Sequence, residues 1–431
     1  MEPDAMKFRP FLAPVAALSL LGVGTPASAQ PSPSAAQISA EVEAFHQYRF
    51  DQPFWTPAAV EALLRLLETS AVDGLAPQGY QVARLRDLAA KTMADPRRDR
   101  RAMDLALSAA FVRYAAALAQ AGDTGVTYVD PAARPRPVRP TLLLLRARES
   151  GSVETFIEEM AWMNPIYAQT RRELLASGND PRRSALLSLN LKRARALPRG
   201  PARYILVNVP SARLEVREGT RILESMKVVV GMKHTQTPEM AGMIRYAIQN
   251  PSWHIPTDIT RDKVAPRVLK EGTAYLRSKE YEVLSDFGPA PKVLDPAKVD
   301  WKAVVEGRVE AFVRQKPGPT SGLGKIVFKF PNEMGIYLHD TPGKSLFKQD
   351  DRLASAGCVR LENPDGLSKL ILGDVLDPTA TETDKYVPLL RPVPVYLSYL
   401  TAYPVDGKLV DQRDIYNKDK LPSAMTEGKA S

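Results

Sequence analysis

A single cysteine and a histidine upstream of it are the residues of this chain best suited to covalent chemistry. Cys358 is the only cysteine among 431 residues, and His339 is one of only four histidines. A thiolate attacks carbonyl carbon, and an imidazole within hydrogen-bond reach can take the thiol proton and later return it to a leaving amine. The pair therefore indicates acyl transfer through a cysteine, provided that the fold brings the two side chains together.

The residues around Cys358 predict a turn that a substrate can approach closely. Gly357 permits backbone angles that are closed to other residues, and the N–H groups of Gly357 and Cys358 could together stabilise an oxyanion. A lone cysteine between glycine and valine is also a common buried packing residue. The residues alone leave both interpretations open, a nucleophile and a packing side chain.

The N terminus predicts export. Lys7 and Arg9 precede the apolar run 11–23, and small residues at 27–29 offer a cleavage site. The run is too short for the roughly 20 residues of a membrane-spanning helix. We therefore expect a signal peptide over 1–29 and a periplasmic protein without a membrane span after cleavage. In that compartment a cysteine without an intrachain partner is inert or is kept free for its chemistry.

Composition narrows the class of partner. The net charge is +9, which suits an anionic partner, and 44% hydrophobic with 25% charged residues is ordinary for a globular protein of two or three domains. Neither zinc-knuckle spacing nor a basic motif studded with aromatic residues is present, so we do not expect a nucleic-acid partner. The spacing of histidines and acidic residues predicts no metal site, and no cofactor is indicated.

The elements that must position Cys358 and His339 change in character near residue 200. Upstream the apolar spacing is helical, beginning with a helix that Thr56 caps and Pro57 opens. Further helices are predicted at 103–121, 153–163, 166–176 and 184–197. Downstream the period approaches two, which predicts strands at 204–209, 214–217, 221–230, 244–249, 325–330, 335–339 and 393–403. His339 then ends a strand, and Cys358 returns to the same edge of the sheet.

Two motifs carry a resemblance to a known family. The stretches Ile336-Tyr337-Leu338-His339-Asp340-Thr341-Pro342 and Ser355-Ala356-Gly357-Cys358-Val359-Arg360-Leu361 resemble the signature of the L,D-transpeptidases with a YkuD-type catalytic domain. The large periplasmic subgroup typified by YcbB is similar in further segments, which are 250–256, 317–319, 323–325 and 414–417. The widespread family pattern has a histidine where this chain has Ala356.

The resemblance implies an α+β multidomain fold, in which a helical scaffold domain precedes a β-rich YkuD-like catalytic domain with an inserted capping subdomain. On this basis we expect a flexible linker at 30–40, the scaffold domain at 41–200 and the catalytic domain at 201–417. The cap is expected at about 258–322, where a long insertion is typical of a functional lid. A flexible tail would follow at 418–431. No segment resembles the separate peptidoglycan-binding module of larger members.

The activity implied by the resemblance is acyl transfer between peptidoglycan stem peptides. Cys358 would attack the third residue of a donor tetrapeptide and release the terminal D-alanine, and an amine of a neighbouring stem would resolve the thioester to a 3→3 cross-link. His339 would be the base and acid, with Gly357 and Cys358 as oxyanion donors. Carbapenems would acylate the same cysteine.

The resemblance also suggests roles for four further residues. Arg360 would order the site or meet a substrate carboxylate, and Ser355 would shape the turn. Tyr337 and Trp253 are candidate walls of the substrate groove, although packing in the core explains each equally well.

Several alternatives use the same residues. Hydrolysis of the thioester would make the protein an L,D-carboxypeptidase, and a protein amine as acceptor would attach an outer-membrane protein to the wall. A partner protein could also act as activator, and a non-catalytic wall-binding scaffold is the remaining alternative. Papain-like and NlpC-type peptidases place cysteine before histidine, and sortases separate the two much further, so both are disfavoured.

Overall fold

The computed structural model describes residues 32–47, 53–95, 98, 100–120, 122, 124–373 and 380–420. The predicted signal peptide lies outside these residues, as does most of the predicted tail. The predicted linker at 30–40 is described from residue 32 onward, and a helix already begins within it at Ala35. The first tail residues are packed, since Asp419 pairs with the buried Arg193 at 2.6 Å.

Helices dominate the described chain up to residue 194, with one short strand at Thr127–Tyr128. They are α1 Ala35–Gln47, α2 Pro57–Glu68, α3 Val82–Ala94, α4 Arg101–Ala119, α5 Pro140–Glu149, α6 Val153–Glu158, α7 Pro165–Ala176 and α8 Pro181–Ala194. The predicted cap of α2 is confirmed, because Thr56 Oγ1 accepts from Ala59 N at 3.1 Å and Pro57 is the first helical residue.

Two helix predictions are displaced by local backbone chemistry. The helix predicted at 153–163 ends at Glu158, and Met160 follows with φ +50°. The helix predicted at 184–197 begins at Pro181 because Asp180 caps it, accepting from Arg183 N at 2.9 Å.

The α4 helix is the centre of the helical core. Leu107, Phe111, Tyr114 and Leu118 form its predicted stripe, and each is at most 1% exposed. Among the described residues α4 alone has the length and hydropathy to cross a bilayer, and burial within the helical core accounts for both properties.

Strands dominate from Arg203 onward. In chain order, the described residues form β1 Thr127–Tyr128, β2 Arg203–Asn208, β3 Arg213–Glu218, β4 Arg221–Gly231, β5 Met240–Gln249, β6 Trp253–Ile255, β7 Tyr281–Leu284, β8 Val293–Leu294, β9 Phe312–Gln315, β10 Ile326–Lys329, β11 Leu338–His339, β12 Leu353–Ser355, β13 Val359–Leu361, β14 Lys385–Ser398, β15 Ala402–Val405 and β16 Lys408–Asp411.

The main sheet closes on itself. Its order is β5-β10-β11-β13-β4-β3-β2-β14, and β14 pairs with both β2 and β5. The apolar interior of this barrel includes Val207, Phe328, Leu338 and Val359. Residues such as Tyr204, Leu206 and Tyr396 belong instead to the core of the helical domain. Strand β2 is therefore covered on both faces, which explains its nearly continuous apolar sequence.

A second sheet forms the inserted segment. Its order is β6-β9-β7-β8, and the short helices α9 Thr257–Ile259, α10 Ala265–Glu271, α11 Ala274–Ser278 and α12 Trp301–Val305 pack with it. Ile255, Val313 and Trp301 share its separate apolar core. This sheet begins at β6, before the predicted start of the cap at 258. The final helix, α13, spans Pro364–Leu372.

Candidate active site

Three adjacent strands position the predicted site residues. Strand β11 is parallel to β13, with Leu338 beside Val359 and His339 beside Arg360. Leu338 and Val359 point into the barrel, where both are fully buried. Because side chains alternate along a strand, Tyr337 and His339 share the opposite face with Cys358 and Arg360. The two sequence motifs thus meet on one face of the sheet.

The Cys358 thiol is partly exposed at this face. Its Sγ atom lies 3.5 Å from the Gly335 carbonyl oxygen, to which the thiol can donate. Burial raises the pKa of Cys358 above its ordinary value. The nearby backbone N–H and hydroxyl of Tyr337 partly offset that rise, as do the positive charges of Lys329 and Arg360. The resting side chain is therefore a thiol at neutral pH.

The His339 imidazole is buried and is tied to the backbone. Only 4% of the residue is exposed, and Nδ1 lies 2.6 Å from the carbonyl oxygen of Asp340. A carbonyl can only accept, so Nδ1 carries the proton and Nε2 keeps its lone pair. Burial, reinforced by the charge of Arg360, lowers the pKa of His339 to about 3. The ring is accordingly a neutral base.

The thiol and the imidazole are near neighbours without a direct hydrogen bond. Cys358 lies one strand away from His339, but its sulfur is directed to Gly335 rather than to the ring. The expected proton-transfer contact is therefore absent from this conformation of the two described side chains. Catalytic hydrogen bonds are often long in a free enzyme and tighten when substrate binds.

The turn before Cys358 is held by Ser355. Its Oγ donates to the Cys358 carbonyl at 2.6 Å and accepts from Gly357 N at 3.1 Å. The predicted structural role of Ser355 fits these contacts. The Gly357 N–H is thus engaged by Ser355 in this conformation, and its role as an oxyanion donor stays a prediction. Gly357 also has φ +115°, and a Cβ there would lie 3.0 Å from Ile336 Cδ1.

A buried chain of hydroxyl groups, which sequence reasoning missed, supports the same turn. Thr237 Oγ1 donates to the Gly357 carbonyl at 2.8 Å, and Thr237 N donates to Tyr416 Oη at 3.3 Å. Tyr416 Oη in turn donates to the Gly231 carbonyl at 2.6 Å. The segment 414–417 was singled out only by resemblance, and these contacts give it a physical function.

Asp340 anchors the segment that leads from the inserted sheet back to the barrel. Its carboxylate accepts from Lys325 N and from Lys344 Nζ, each at 2.9 Å. The Gly324 backbone packs against this carboxylate and has φ +62°. A Cβ at this position would lie 2.3 Å from Asp340 Oδ2. Only glycine therefore fits at this position without displacement.

Aromatic and basic side chains flank the thiol. The Tyr337 ring lies 5.7 Å from the His339 ring, and Lys329 Nζ lies 3.8 Å from the centroid of the Tyr337 ring. Trp253 packs against the chain at Gly322, where a Cβ would lie 2.9 Å from its ring. The structure places Tyr337 at the site, and Trp253, in the first strand of the inserted sheet, donates its indole N–H to the Tyr337 hydroxyl. Lys329 was not predicted, because one basic residue in an alternating strand carries no distinctive signal.

Other histidines lie outside this cluster. His46 contacts Ser108 in the helical domain, and His254 packs edge-on against Phe287 at 5.0 Å. Within the described ranges, no group of three histidine, cysteine or acidic side chains is arranged to hold a metal ion.

Comparison with known proteins identifies the domains that carry this fold and this cluster. Residues 202–373 match the family of L,D-transpeptidase catalytic domains, YkuD, and residues 40–174 match the Scaffold domain family. The chain therefore contains a YkuD L,D-transpeptidase catalytic domain preceded by a Scaffold domain. The predicted family and α+β fold class are confirmed, and the YcbB subgroup stays a prediction.

A curated relative from Haemophilus influenzae, "Putative L,D-transpeptidase", is 33% identical over 290 residues, which are 64% of this chain and 57% of the relative. The chain thus spans little more than half of that relative. An L,D-transpeptidase structure from Mycobacterium smegmatis is 12% identical, covering 47% of this chain and 60% of that one, with a TM-score of 0.23. An LD transpeptidase in complex with imipenem is 11% identical, covering 46% and 61%, with a TM-score of 0.23.

Proposed function

We propose that this protein is a periplasmic peptidoglycan L,D-transpeptidase that forms 3→3 cross-links through a thioester on Cys358. The observation that carries the proposal is a partly exposed thiol on the same sheet face as a buried, neutral imidazole whose Nδ1 is tied to the backbone. This arrangement supplies a nucleophile and a base with a fixed tautomer. The matching catalytic-domain family supplies the class of substrate.

The raised pKa of Cys358 and the lowered pKa of His339 favour a neutral pair over a thiolate–imidazolium pair at rest. Proton transfer then accompanies attack. Rotation of the Cys358 side chain away from Gly335 would direct the sulfur towards Nε2 of His339. The sulfur bonds to the carbonyl carbon of the third stem residue, and His339 passes the proton to the amine of the departing D-alanine.

In the second half of the reaction an amine attacks the thioester carbon and the thiol leaves with a proton. One amide is exchanged for another, so no ATP is needed. The Cys358 N–H is the remaining local candidate for stabilising the oxyanion, since the Gly357 N–H is engaged by Ser355.

The inserted sheet supports transfer over hydrolysis. Trp253 lies in its first strand, and Asp340, directly after His339, anchors the chain that returns from it. A cover at this position would exclude water while the thioester persists. Hydrolysis to a tripeptide and attachment of an outer-membrane protein remain the alternative outcomes for the same acyl-enzyme.

Defined disaccharide tetrapeptides and mass spectrometry test the proposal. Wild-type protein should release D-alanine and produce a cross-linked dimer, whereas Cys358→Ala should fold normally and produce neither. A tripeptide without dimer would identify a carboxypeptidase instead. Turnover by Cys358→Ala would refute the mechanism.

A carbapenem provides an independent readout of the nucleophile. The intact mass should increase by one drug molecule, and peptide mapping should locate it on Cys358. His339→Gln, which replaces the imidazole with an amide of similar size that is not a base, should be acylated much more slowly. An unmodified wild-type protein would count against the assignment.

A further inference from the structure

Among the described residues, two positive charges near Cys358 have no acidic partner, unlike the three most buried arginines of this protein. Arg171, Arg193 and Arg217 are buried and pair with Asp73, Asp419 and Glu215, respectively, at 2.6 to 3.0 Å. In the part of the chain that the structure describes, neither Lys329 nor Arg360 has a carboxylate within 4 Å, although both are half-buried. Arg360 Nε is buried and has no hydrogen-bond partner. Burying charge without a partner is costly.

Strand pairing places the two charges around the thiol. Arg360 follows Cys358 by two residues on β13 and therefore lies on the same face. Lys329 comes from β10 on the other side of β11, and its ammonium rests over the Tyr337 ring at 3.8 Å. Both charges lower the pKa of the thiol, so both act on its immediate surroundings.

The contact with Tyr337 holds Lys329 in place without using its hydrogen bonds. A cation over an aromatic ring is attracted by the ring face, whereas all three ammonium N–H groups stay available for an oxygen ligand. Asp384 is close enough to raise the pKa of Lys329, but its carboxylate accepts from Ser252 N at 2.6 Å. The ammonium is therefore positioned by the ring and can still donate hydrogen bonds to a ligand.

We propose that Lys329, together with Arg360, binds a carboxylate of the acyl donor, so that Lys329 selects donors with a free carboxylate near the scissile amide. The inference rests on the proposed function and names a specificity residue for it. A tetrapeptide donor offers two such groups, the carboxylate of its terminal residue and that on the side chain of its third residue. A carboxylate held here would align the scissile carbonyl with Cys358 and satisfy both cations.

Amidated donors and Lys329 variants test this together. Wild-type protein should lose at least about tenfold in kcat/KM on a donor amidated at whichever of the two carboxylates Lys329 binds, because a charged hydrogen bond is lost. Lys329→Met should show a similar loss of kcat/KM on the free donor. Amidating that carboxylate should then lower the kcat/KM of this variant little further. Lys329→Arg should recover part of the loss, and Lys369→Met, an exposed lysine on α13, should behave as wild type.

The outcomes separate the two proposals. If wild-type protein processes the free donor and both amides equally, Lys329 does not select a carboxylate, and the inference is wrong while the function stands. The inference is also wrong if wild type and Lys329→Met discriminate equally between the free donor and its amides. Absence of Cys358 acylation in wild type with every donor would instead refute the proposed function. The comparison of donors with wild-type protein needs no variant, so it tests carboxylate selection even if Lys329→Met is unstable.

Discussion

The buried neutral state of His339 predicts a specific loss of stability in acid. The pKa of His339 is about 3 in the folded protein, against an ordinary value of 6.5. The unfolded chain therefore binds a proton at this residue below about pH 6.5, whereas the folded protein does so only near pH 3. The stabilising contribution is complete above pH 6.5 and is lost as the pH falls towards 3.

The magnitude follows from the same values. Between pH 6.5 and pH 4 the folded ring stays neutral while the unfolded ring is protonated, over about 2.5 pH units at about 1.36 kcal/mol each. The expected loss is about 3 kcal/mol. Since the ring is only 4% exposed, solvent screening does not reduce this figure greatly.

Urea unfolding of wild type and His339→Gln at pH 7 and pH 4 measures this loss. The glutamine variant should be less stable at pH 7, because packing and the contact with Asp340 are changed. At pH 4 the stability advantage of wild type in unfolding free energy should be about 3 kcal/mol smaller than at pH 7. His254→Gln is the matched control. It removes a histidine whose pKa is also lowered but whose side chain is exposed. The difference in unfolding free energy between this variant and wild type should therefore change less between pH 7 and pH 4.

A difference between wild type and His339→Gln that is the same at both pH values would refute the reasoning. It would mean that the ring is protonated as readily in the folded protein as in the unfolded chain. The neutral base on which the proposed proton transfer depends would then be absent in mildly acidic conditions.

Three other predictions concern the turn at the thiol. Alkylation of Cys358 by iodoacetamide should accelerate with pH up to an apparent pKa above 9.0, its unperturbed value, whereas an apparent pKa below 7 would indicate a resting thiolate. Gly357→Ala should destabilise by about 1–3 kcal/mol, because its positive φ and the contact with Ile336 are both unfavourable, and an unchanged Tm would contradict this account. Tyr416→Phe should cost about 1–2 kcal/mol by leaving the buried Gly231 carbonyl without its hydroxyl donor, and an unaltered unfolding midpoint would show that water replaces it.

Local signals in the sequence predicted the residues of the site better than their arrangement. The scarcity of cysteine and histidine and the two short motifs pointed to Cys358 and His339 before any fold was known. The structure brings both to one sheet face but directs the sulfur to Gly335. Side-chain direction depends on the surrounding packing, which a motif does not encode.

Elements defined by neighbouring residues were also predictable. The Thr56 cap followed by Pro57 located the start of α2, and the stripe on α4 proved to be its buried face. Both depend on contacts within a turn or two of helix. The early end of α6, where Met160 takes a positive φ, was missed because no glycine marks that position. The start of the inserted sheet at β6 was missed because it is set by pairing with β9, a distant segment of the chain.

Residue types and their spacing established the chemistry available to this protein: one thiol, one imidazole in a matching motif, and a helical part followed by a β-rich part. Which groups surround that thiol depends on how the chain folds. Lys329, Thr237 and Tyr416 reach the site through strand pairing and long-range hydrogen bonds between segments far apart in the chain. Such contacts form when the barrel closes, so no local pattern of residue types predicts them.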